Sequence, residues 1–248
     1  MESAFDLSTA RIDLLPPAGD ALAGVALLHG LGMAPSVLQS MLTSLALPAW
    51  VTIPHGPVDL GNGRHSWWAV DPARRAARLA SGPVDLFDRY PPGRQRARAI
   101  VSTALQTLHH NSPGLPLVSA GFSQGGMLAL DHALLGPGPR PDALVLLSCS
   151  AIAEREWAPH WSRLRDLPVL LAHGRADYDL AFSAAERLHG LLLAAGARVS
   201  WLPFDGGHDL PLVVWKALRR FVLQLVSDGR CDGVQGVHGA AAALSTAV

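Results

Sequence analysis

Residues 119–128 read SAGFSQGGML, and they place Ser123 among three glycines and between two apolar runs. The preceding run, 115–120, has the composition of a buried strand, and the following one, 124–135, has a helical pattern. Glycine loses much conformational freedom when it is ordered, so this concentration indicates backbone that a side chain would obstruct. The pattern Gly-x-Ser-x-Gly predicts a tight strand-to-helix turn that raises Ser123 above the edge of a sheet.

Short apolar runs alternate with helical patterns along the rest of the chain. The predicted strands are 24–29, 50–54, 115–120, 142–148, 167–173 and 197–204, and the predicted helices are 35–46, 94–110, 124–135, 181–195 and 211–227. Continuous apolar strands are typical of parallel sheets that are covered on both faces. The sequence therefore predicts an α/β fold, a mostly parallel central sheet with helices on both faces and one or two antiparallel edge strands near the N-terminus.

Composition does not divide the chain internally, so we predict a single domain over residues 1–227. Within it, residues 56–93 hold Gly, Pro, Arg and two adjacent tryptophans, and they predict an irregular insertion near the active site. Residues 228–248 lack apolar periodicity and predict a disordered tail.

The bulk composition argues against several classes of protein. The formal net charge is +0 at pH 7, so no basic field favours nucleic acid. The apolar runs are too short to cross a bilayer, and the N-terminus lacks the pattern of a signal peptide. Two cysteines give no disulfide framework, and the eleven histidines show no metal-binding spacing. We therefore expect a cytoplasmic protein, a monomer or homodimer, with no metal.

Ser123 would need a histidine base, and that base would need an orienting carboxylate. In a sheet of this kind the partners follow the serine in the order Asp, then His. Asp177 ends the motif HGRAD after the fifth predicted strand, and His208 lies in GGHDLP after the sixth. We predict Ser123, Asp177 and His208 as catalytic residues. The rival carboxylates are Asp179, which is only two residues from Asp177, and also Asp205 and Asp209.

Acyl transfer also needs donors for the oxyanion of the tetrahedral intermediate. The backbone N–H of Gln124, the residue after the serine, is one candidate. The other is the N–H of Leu31 in LLHGLGM (27–33), where glycines allow the loop to turn toward the site. His29 in the same loop is predicted to hold the loop rather than to take part in chemistry.

The candidates for substrate binding are Met33, Trp67 and Trp68. Met33 follows the oxyanion loop, and the two tryptophans either roof an acyl site or pack beneath the insertion. A basic cluster with aspartates interspersed predicts a solvated face, and its arginines are Arg74, Arg75, Arg78, Arg94, Arg96 and Arg98.

Four motifs together, LLHGLG, GFSQGG, HGRAD and GGHDLP, resemble the carboxylesterase/phospholipase family of small α/β hydrolases, which includes the acyl-protein thioesterases. The segment IPHGPVDLGNGRHSWWAVD (53–71) resembles a Pro-rich segment of that family. The resemblance runs from about Val25 to about Phe221. It implies the α/β-hydrolase fold, the Ser123–Asp177–His208 triad, no cofactor, and ester or thioester substrates with an apolar acyl group.

The chain departs from the family pattern at Met33, at YDLAF after Asp177, and at Ser148 and Cys149. These departures concern the substrate pocket. The sequence therefore predicts a serine hydrolase that forms an acyl-enzyme intermediate. The alternatives are a non-catalytic ligand-binding protein of the same fold or, among enzymes, a lysophospholipase or a peptide-type hydrolase.

Overall fold

The structure of this chain is a computed structural model, and it describes residues 10–235. Over this range the strands are β1 (Ile12–Leu15), β2 (Ala23–Leu28), β3 (Ala49–Pro54), β4 (Val58–Asp59), β5 (His65–Ser66), β6 (Leu117–Phe122), β7 (Ala143–Leu147), β8 (Pro168–Gly174) and β9 (Arg198–Phe204). The helices are α1 (Pro35–Leu45), α2 (Pro72–Ala80), α3 (Arg94–Asn111), α4 (Gln124–Leu135), α5 (Glu154–Trp157), α6 (Phe182–Ala194) and α7 (Leu212–Gln235). A 3-10 helix, Ala158–Leu164, follows α5.

Seven strands form one sheet in the order β1-β3-β2-β6-β7-β8-β9. Neighbouring strands run parallel, except that β1 pairs antiparallel with β3 at one edge. This arrangement confirms the predicted α/β fold with a mostly parallel sheet. It also confirms the expected antiparallel edge strand.

Successive residues of the central strands point to opposite faces, and both faces are covered. On β2, Ala26 and Leu28 join the core beneath α3, α4 and α6, whereas Val25 and Leu27 join the core beneath α1 and α7. All four side chains are buried. The continuous apolar composition of the strands follows from this burial on both faces.

The segment 56–93 is more ordered than the sequence predicted. It contains the two-stranded β4–β5 sheet and the helix α2, so the prediction of an irregular insertion is wrong there. Each strand has two residues, and α2 is short, rich in arginine and buries none of its side chains, so none of the three forms the apolar run on which the predictions of strands and helices rested.

The predicted boundary between domain and tail does not coincide with a helix end. Helix α7 ends at Gln235, eight residues beyond the predicted limit at 227. The rest of the predicted tail, 236–248, lies outside the described residues.

Part of the predicted solvated arginine face is buried. Arg94, on α3, is 7% exposed and donates to Asp131 of α4 at 2.7 Å. Arg98 donates to the other carboxylate oxygen, Oδ2, at 2.8 Å. The indole N–H of Trp157 donates at 2.7 Å to Oδ1, the oxygen that Arg94 also uses. The expectation is therefore wrong for Arg94, because one fully buried carboxylate draws charged side chains inward.

We predict that Asp131→Asn lowers the free energy of unfolding by about 3–5 kcal/mol, because it leaves two arginines around a buried site without their anion. Urea denaturation of the full chain measures this change. The matched control is Asp88→Asn, whose carboxylate is exposed and lies 3.7 Å from Arg89. A loss below about 1 kcal/mol for Asp131→Asn, comparable to exposed pairs, would contradict the prediction.

Candidate active site

Ser123 lies on the turn between β6 and α4, in a backbone conformation that only this kind of turn imposes. Its φ is 54° and its ψ is −117°, a backbone conformation that residues other than glycine rarely adopt. The Ser123 N–H donates to the carbonyl of Leu147 on the neighbouring strand at 2.8 Å. The turn is therefore held by the sheet, and it presents the hydroxyl at the carboxyl end of β6.

The glycines around Ser123 are required by close backbone contacts. A Cβ on Gly121 would overlap the backbone of Gly125 in α4, and a Cβ on Gly125 would overlap the Leu28 and His29 carbonyls of the β2 end. The expectation that side chains at 121 and 125 would collide with the neighbouring helix and strand is confirmed. Helix α4 can therefore begin directly against the sheet.

The structure brings the three predicted catalytic side chains together. His208 Nε2 is 2.9 Å from Ser123 Oγ, and His208 Nδ1 is 2.7 Å from Asp177 Oδ2. Asp177 follows β8 and His208 follows β9, so both come from loops at the same edge of the sheet as Ser123. The serine hydroxyl donates to one ring nitrogen, and the other nitrogen donates to the carboxylate.

The carboxylate of Asp177 is nearly buried and accepts several hydrogen bonds. Its Oδ1 accepts from the N–H groups of Asp179 and Leu180 at 2.8 and 2.9 Å, and His173 Nε2 lies 3.2 Å from Oδ2. Burial alone would raise the pKa of Asp177, but donors from His173, His208 and Leu180 outweigh it and hold the pKa below its usual range. Asp177 therefore stays ionised beside His208.

The sequence reading did not assign a role to His173. This histidine is fully buried on β8, four residues before Asp177 in the same HGRAD motif. Its Nε2 also lies 3.1 Å from the Leu180 carbonyl. The sequence does contain a signal for this role, because a polar ring inside an apolar strand needs a hydrogen-bond partner and the candidate acid follows shortly after it.

The rival carboxylates lie elsewhere. Asp179 is bound by Arg75 and Arg78 of α2 rather than by His208. Asp205 and Asp209 are exposed. Of the four candidate carboxylates, Asp177 is the one in contact with the imidazole of His208.

The two residues predicted to supply oxyanion donors, Leu31 and Gln124, both lie at the cavity that contains Ser123. Gln124 is the first residue of α4, where N–H groups have no partner within the helix. Leu31 lies in the loop after β2, and within residues 10–235 its N–H donates to no protein acceptor. Both residues line the same cavity as Ser123.

The loop that carries Leu31 is fixed from behind by His29. His29 Nδ1 donates to the Gly30 carbonyl at 2.8 Å, and Nε2 accepts from the Gly56 N–H at 3.0 Å. Burial lowers the pKa of His29 to about 4, so the ring is neutral and can accept that bond. The structure thus gives His29 the positioning contacts that the sequence suggested.

Two of the predicted substrate residues do not line the cavity. Trp67 is fully buried, donates to the His29 carbonyl at 2.8 Å and stacks on the His29 ring at 4.7 Å. Met33 turns its sulfur toward the Gly30 N–H, at 3.2 Å. Both predictions are corrected, because these side chains pack under and beside the oxyanion loop. Trp68 does line the cavity.

The side chain of Gln124 has a structural role that the sequence reading missed. Its Oε1 accepts from the Trp67 N–H at 2.9 Å and from the Ser66 hydroxyl at 3.0 Å. These bonds fasten the start of α4 to the tryptophan segment. The position of the cavity wall at Trp68 is therefore tied to the position of Ser123.

A cavity of about 550 Å³ opens beside Ser123, within the range of small-molecule sites. The large apolar side chains in its lining include Leu31, Trp68, Leu86, Met127, Ile152 and Leu180. A second part of the lining is charged, and its residues are Asp71, Arg74, Arg75, Arg78 and Arg89 of the insertion and Asp179 of the loop after β8. The insertion 56–93 therefore forms much of the cavity wall.

Neither a metal cluster nor a membrane span stands out in the part of the chain that the structure describes. No group of three or more His, Cys, Asp or Glu side chains there could hold a metal ion. No helix there is long and apolar enough to cross a membrane.

Known proteins share this architecture. A family model described as Phospholipase/Carboxylesterase matches residues 95–225. Esterase PE8 is 25% identical with a TM-score of 0.68, and the match covers 87% of this chain and 98% of that chain. Acyl-protein thioesterase 2 from Zea mays is 22% identical with a TM-score of 0.70, covering 87% and 99%. A Bacillus cereus carboxylesterase is 17% identical with a TM-score of 0.65, covering 88% and 95%. No curated protein matches the sequence significantly.

We predict opposite effects for two helical Gly→Ala substitutions. Gly125→Ala should lower the free energy of unfolding by about 1–3 kcal/mol, because the new methyl group overlaps backbone carbonyls that cannot rotate away. Gly190→Ala, on α6, should raise it by about 0.5–1 kcal/mol, because nothing lies near that position. Thermal and urea unfolding of the two variants would measure both. Equal effects in the same direction would show that α4 does not press on β2.

Proposed function

Because this chain belongs to the phospholipase/carboxylesterase family, and is therefore an esterase- or thioesterase-type hydrolase, we propose that it cleaves carboxylic esters or thioesters through a covalent acyl-enzyme intermediate. The proposed nucleophile is Ser123, the base is His208 and the orienting acid is Asp177. The substrates are small-molecule esters or thioesters, and the chemistry uses no cofactor.

One observation carries this proposal, the continuous hydrogen-bonded chain from Ser123 through His208 to Asp177. Its two distances, 2.9 and 2.7 Å, lie within the range for a nucleophile and base that exchange a proton. The strained backbone at Ser123 supports the same proposal, because strain of this kind is kept where it positions a reactive group.

In the acylation step, Ser123 Oγ attacks the carbonyl carbon while His208 Nε2 accepts the hydroxyl proton. The carbonyl π pair moves onto oxygen, and the tetrahedral intermediate carries one negative charge. Asp177 stays ionised and stabilises the imidazolium that forms. When the intermediate collapses, the leaving alcohol or thiol takes the proton from His208 Nε2, and the acyl group remains on Ser123.

The backbone N–H groups of Leu31 and Gln124 are the proposed oxyanion donors. Both line the cavity on the side of Ser123, and neither is needed for the regular bonding of a strand or helix. Their positions are set before substrate arrives, by His29 on one side and by the Gln124 side chain on the other. Donors fixed in advance stabilise developing charge without reorganisation.

In the deacylation step, water replaces the alcohol or thiol. His208 Nε2 accepts a proton from the water as its oxygen attacks the acyl carbon, and it returns that proton to Ser123 Oγ as the carboxylic acid leaves. The acyl part is proposed to lie along the apolar lining of the cavity, with Trp68 as one wall. The same two oxyanion donors serve both steps.

The nucleophile is tested by covalent labelling of the full chain. A fluorophosphonate should add to Ser123 alone, because only that hydroxyl has an activating base, and peptide mass analysis would locate the adduct. Ser123→Ala should abolish labelling and lower kcat for 4-nitrophenyl butyrate by several orders of magnitude. A folded chain that takes no adduct and turns over no ester would favour the ligand-binding alternative.

The acid is tested by comparing two aspartates that lie two residues apart. Asp177→Asn should lower kcat about 10⁴-fold, because the imidazole of His208 loses the partner that sets its tautomer. Asp179→Asn is the matched control and should lower kcat far less. The hydrogen bond from its backbone N–H to the Asp177 carboxylate remains, and only its ion pairs with the arginines change. The assignment of the acid fails if Asp179→Asn has the larger effect on kcat.

A further inference from the structure

The cavity beside Ser123 has one cationic wall. Arg74, Arg75 and Arg78 of α2, together with Arg89 from the loop before α3, line it along with the apolar residues and Ser123 itself. An apolar acyl group would not need these charges. Arg74, Arg75 and Arg78 belong to the cluster that was predicted to form a solvated face, and the structure places these three and Arg89 at the cavity of the candidate active site.

The spacing of the arginines in α2 places them on one side of the helix. Arg74 and Arg78 are one helical turn apart, and Arg75 and Arg78 are three residues apart, so all three share one side of a nine-residue helix. Asp71 caps this helix by accepting from the Ala73 and Arg74 N–H groups, which fixes where the helix begins. The arginine side chains are therefore presented together.

The carboxylates of the cavity do not neutralise these guanidinium groups. Four arginines and two aspartates, Asp71 and Asp179, contribute to the lining. A single carboxylate, that of Asp179, is shared by Arg75 and Arg78. The cavity wall thus holds more positive than negative charge.

The two outer arginines, Arg74 and Arg89, make only long ion-pair contacts within residues 10–235. Arg74 lies 3.6 Å from Asp71 with its side chain 91% exposed, and Arg89 lies 3.7 Å from Asp88 with its side chain 72% exposed. Contacts that long between exposed groups are not hydrogen bonds and contribute little. The need to anchor α2 on Asp179 explains Arg75 and Arg78, but it does not explain Arg74 and Arg89.

The inner arginines also keep unused donors. Arg75 reaches Asp179 through Nη2, and its Nε, which is buried, has no hydrogen-bond partner within the described residues. A guanidinium presents five N–H donors in a planar fork, which suits the oxygens of carboxylates and phosphates. The Nε of Arg75 is closed to the cavity, but the exposed forks of Arg74 and Arg89 can bind a further anion while Asp179 stays paired with the α2 arginines.

We propose that the substrates of this cavity carry an anionic group, a carboxylate or a phosphate, which the Arg74–Arg75–Arg78–Arg89 wall binds while the apolar lining holds the rest of the molecule. This inference rests on the proposed function, because it assigns the substrate class of the same site. The anion is attached either to the acyl part or to the leaving group of the substrate. In both cases the arginines bind it in the same way, through charged N–H donors.

Two matched substrate pairs test the inference on the full chain. Mono-4-nitrophenyl adipate and its neutral methyl ester differ by one charge on the acyl part. S-Butyryl-4′-phosphopantetheine and S-butyryl-pantetheine differ by one phosphate on the leaving group. We expect kcat/KM to favour the charged member of at least one pair by fivefold or more, and this preference to shrink in 0.5 M NaCl because added salt screens exposed charges.

The arginines are tested with the double variant Arg74→Gln/Arg89→Gln, which changes two exposed side chains and leaves the Asp179 anchor in place. The charged-to-neutral ratio of kcat/KM should fall about two- to tenfold, mainly through KM. Arg219→Gln, an exposed arginine of α7 that does not line the cavity, is the matched control and should keep the wild-type ratio.

The outcomes separate this inference from the proposed function. Turnover of the neutral esters with a fluorophosphonate adduct on Ser123, but no preference for either charged member, would overturn the inference alone. A charged preference that survives in the double variant would also overturn it, because the wall would then not be its source. Absence of both turnover and adduct would instead contradict the proposed function.

Discussion

The contact between helix α4 and the end of β2 sets the rest of the site. Gly125 lies so close to the Leu28 and His29 carbonyls that a single methyl group would not fit. Because of this contact, α4 begins immediately after Ser123, and the serine backbone is forced to a φ of 54°. The same approach brings the start of α4 beside the loop that carries Leu31. One steric constraint thus positions the candidate nucleophile and both candidate oxyanion donors.

A second layer of polar contacts joins the cavity wall to the candidate acid. Asp179 accepts from the arginines of α2 through its side chain and donates to Asp177 through its backbone. The Val84 N–H donates to the Asp179 carbonyl at 3.2 Å, and the Ala181 N–H donates to the Val84 carbonyl at 2.9 Å. The insertion is therefore bonded to the loop that orients His208. The cavity wall and the loop of the candidate acid thus form one hydrogen-bonded unit.

The sheet, five of the helices and the Ser123–Asp177–His208 grouping could be predicted from sequence, because each is encoded locally. Buried parallel strands leave unbroken apolar runs, and the candidate catalytic residues come directly after them. The cavity wall could not be predicted in this way. The two-residue strands and the arginine-rich helix of 56–93 contain no apolar run, and the sequence does not tell which of Trp67 and Trp68 lines the cavity. The pairing of Asp179 with arginines about 100 residues away is likewise a tertiary contact without local signal.

The buried ring of His29 also links folding to protons. Its pKa is lowered to about 4 by burial, against about 6.5 in an unfolded chain. Between these two values the unfolded chain binds a proton that the folded chain excludes, so acidification favours unfolding. Above about pH 6.5 the ring is neutral in both states, and the folded chain loses no stability through it. Lowering the pH from 6.5 to 4 reduces the free energy of unfolding by about 3 kcal/mol through this one group. The residue that holds the Leu31 loop thus also makes the folded chain less stable in acid.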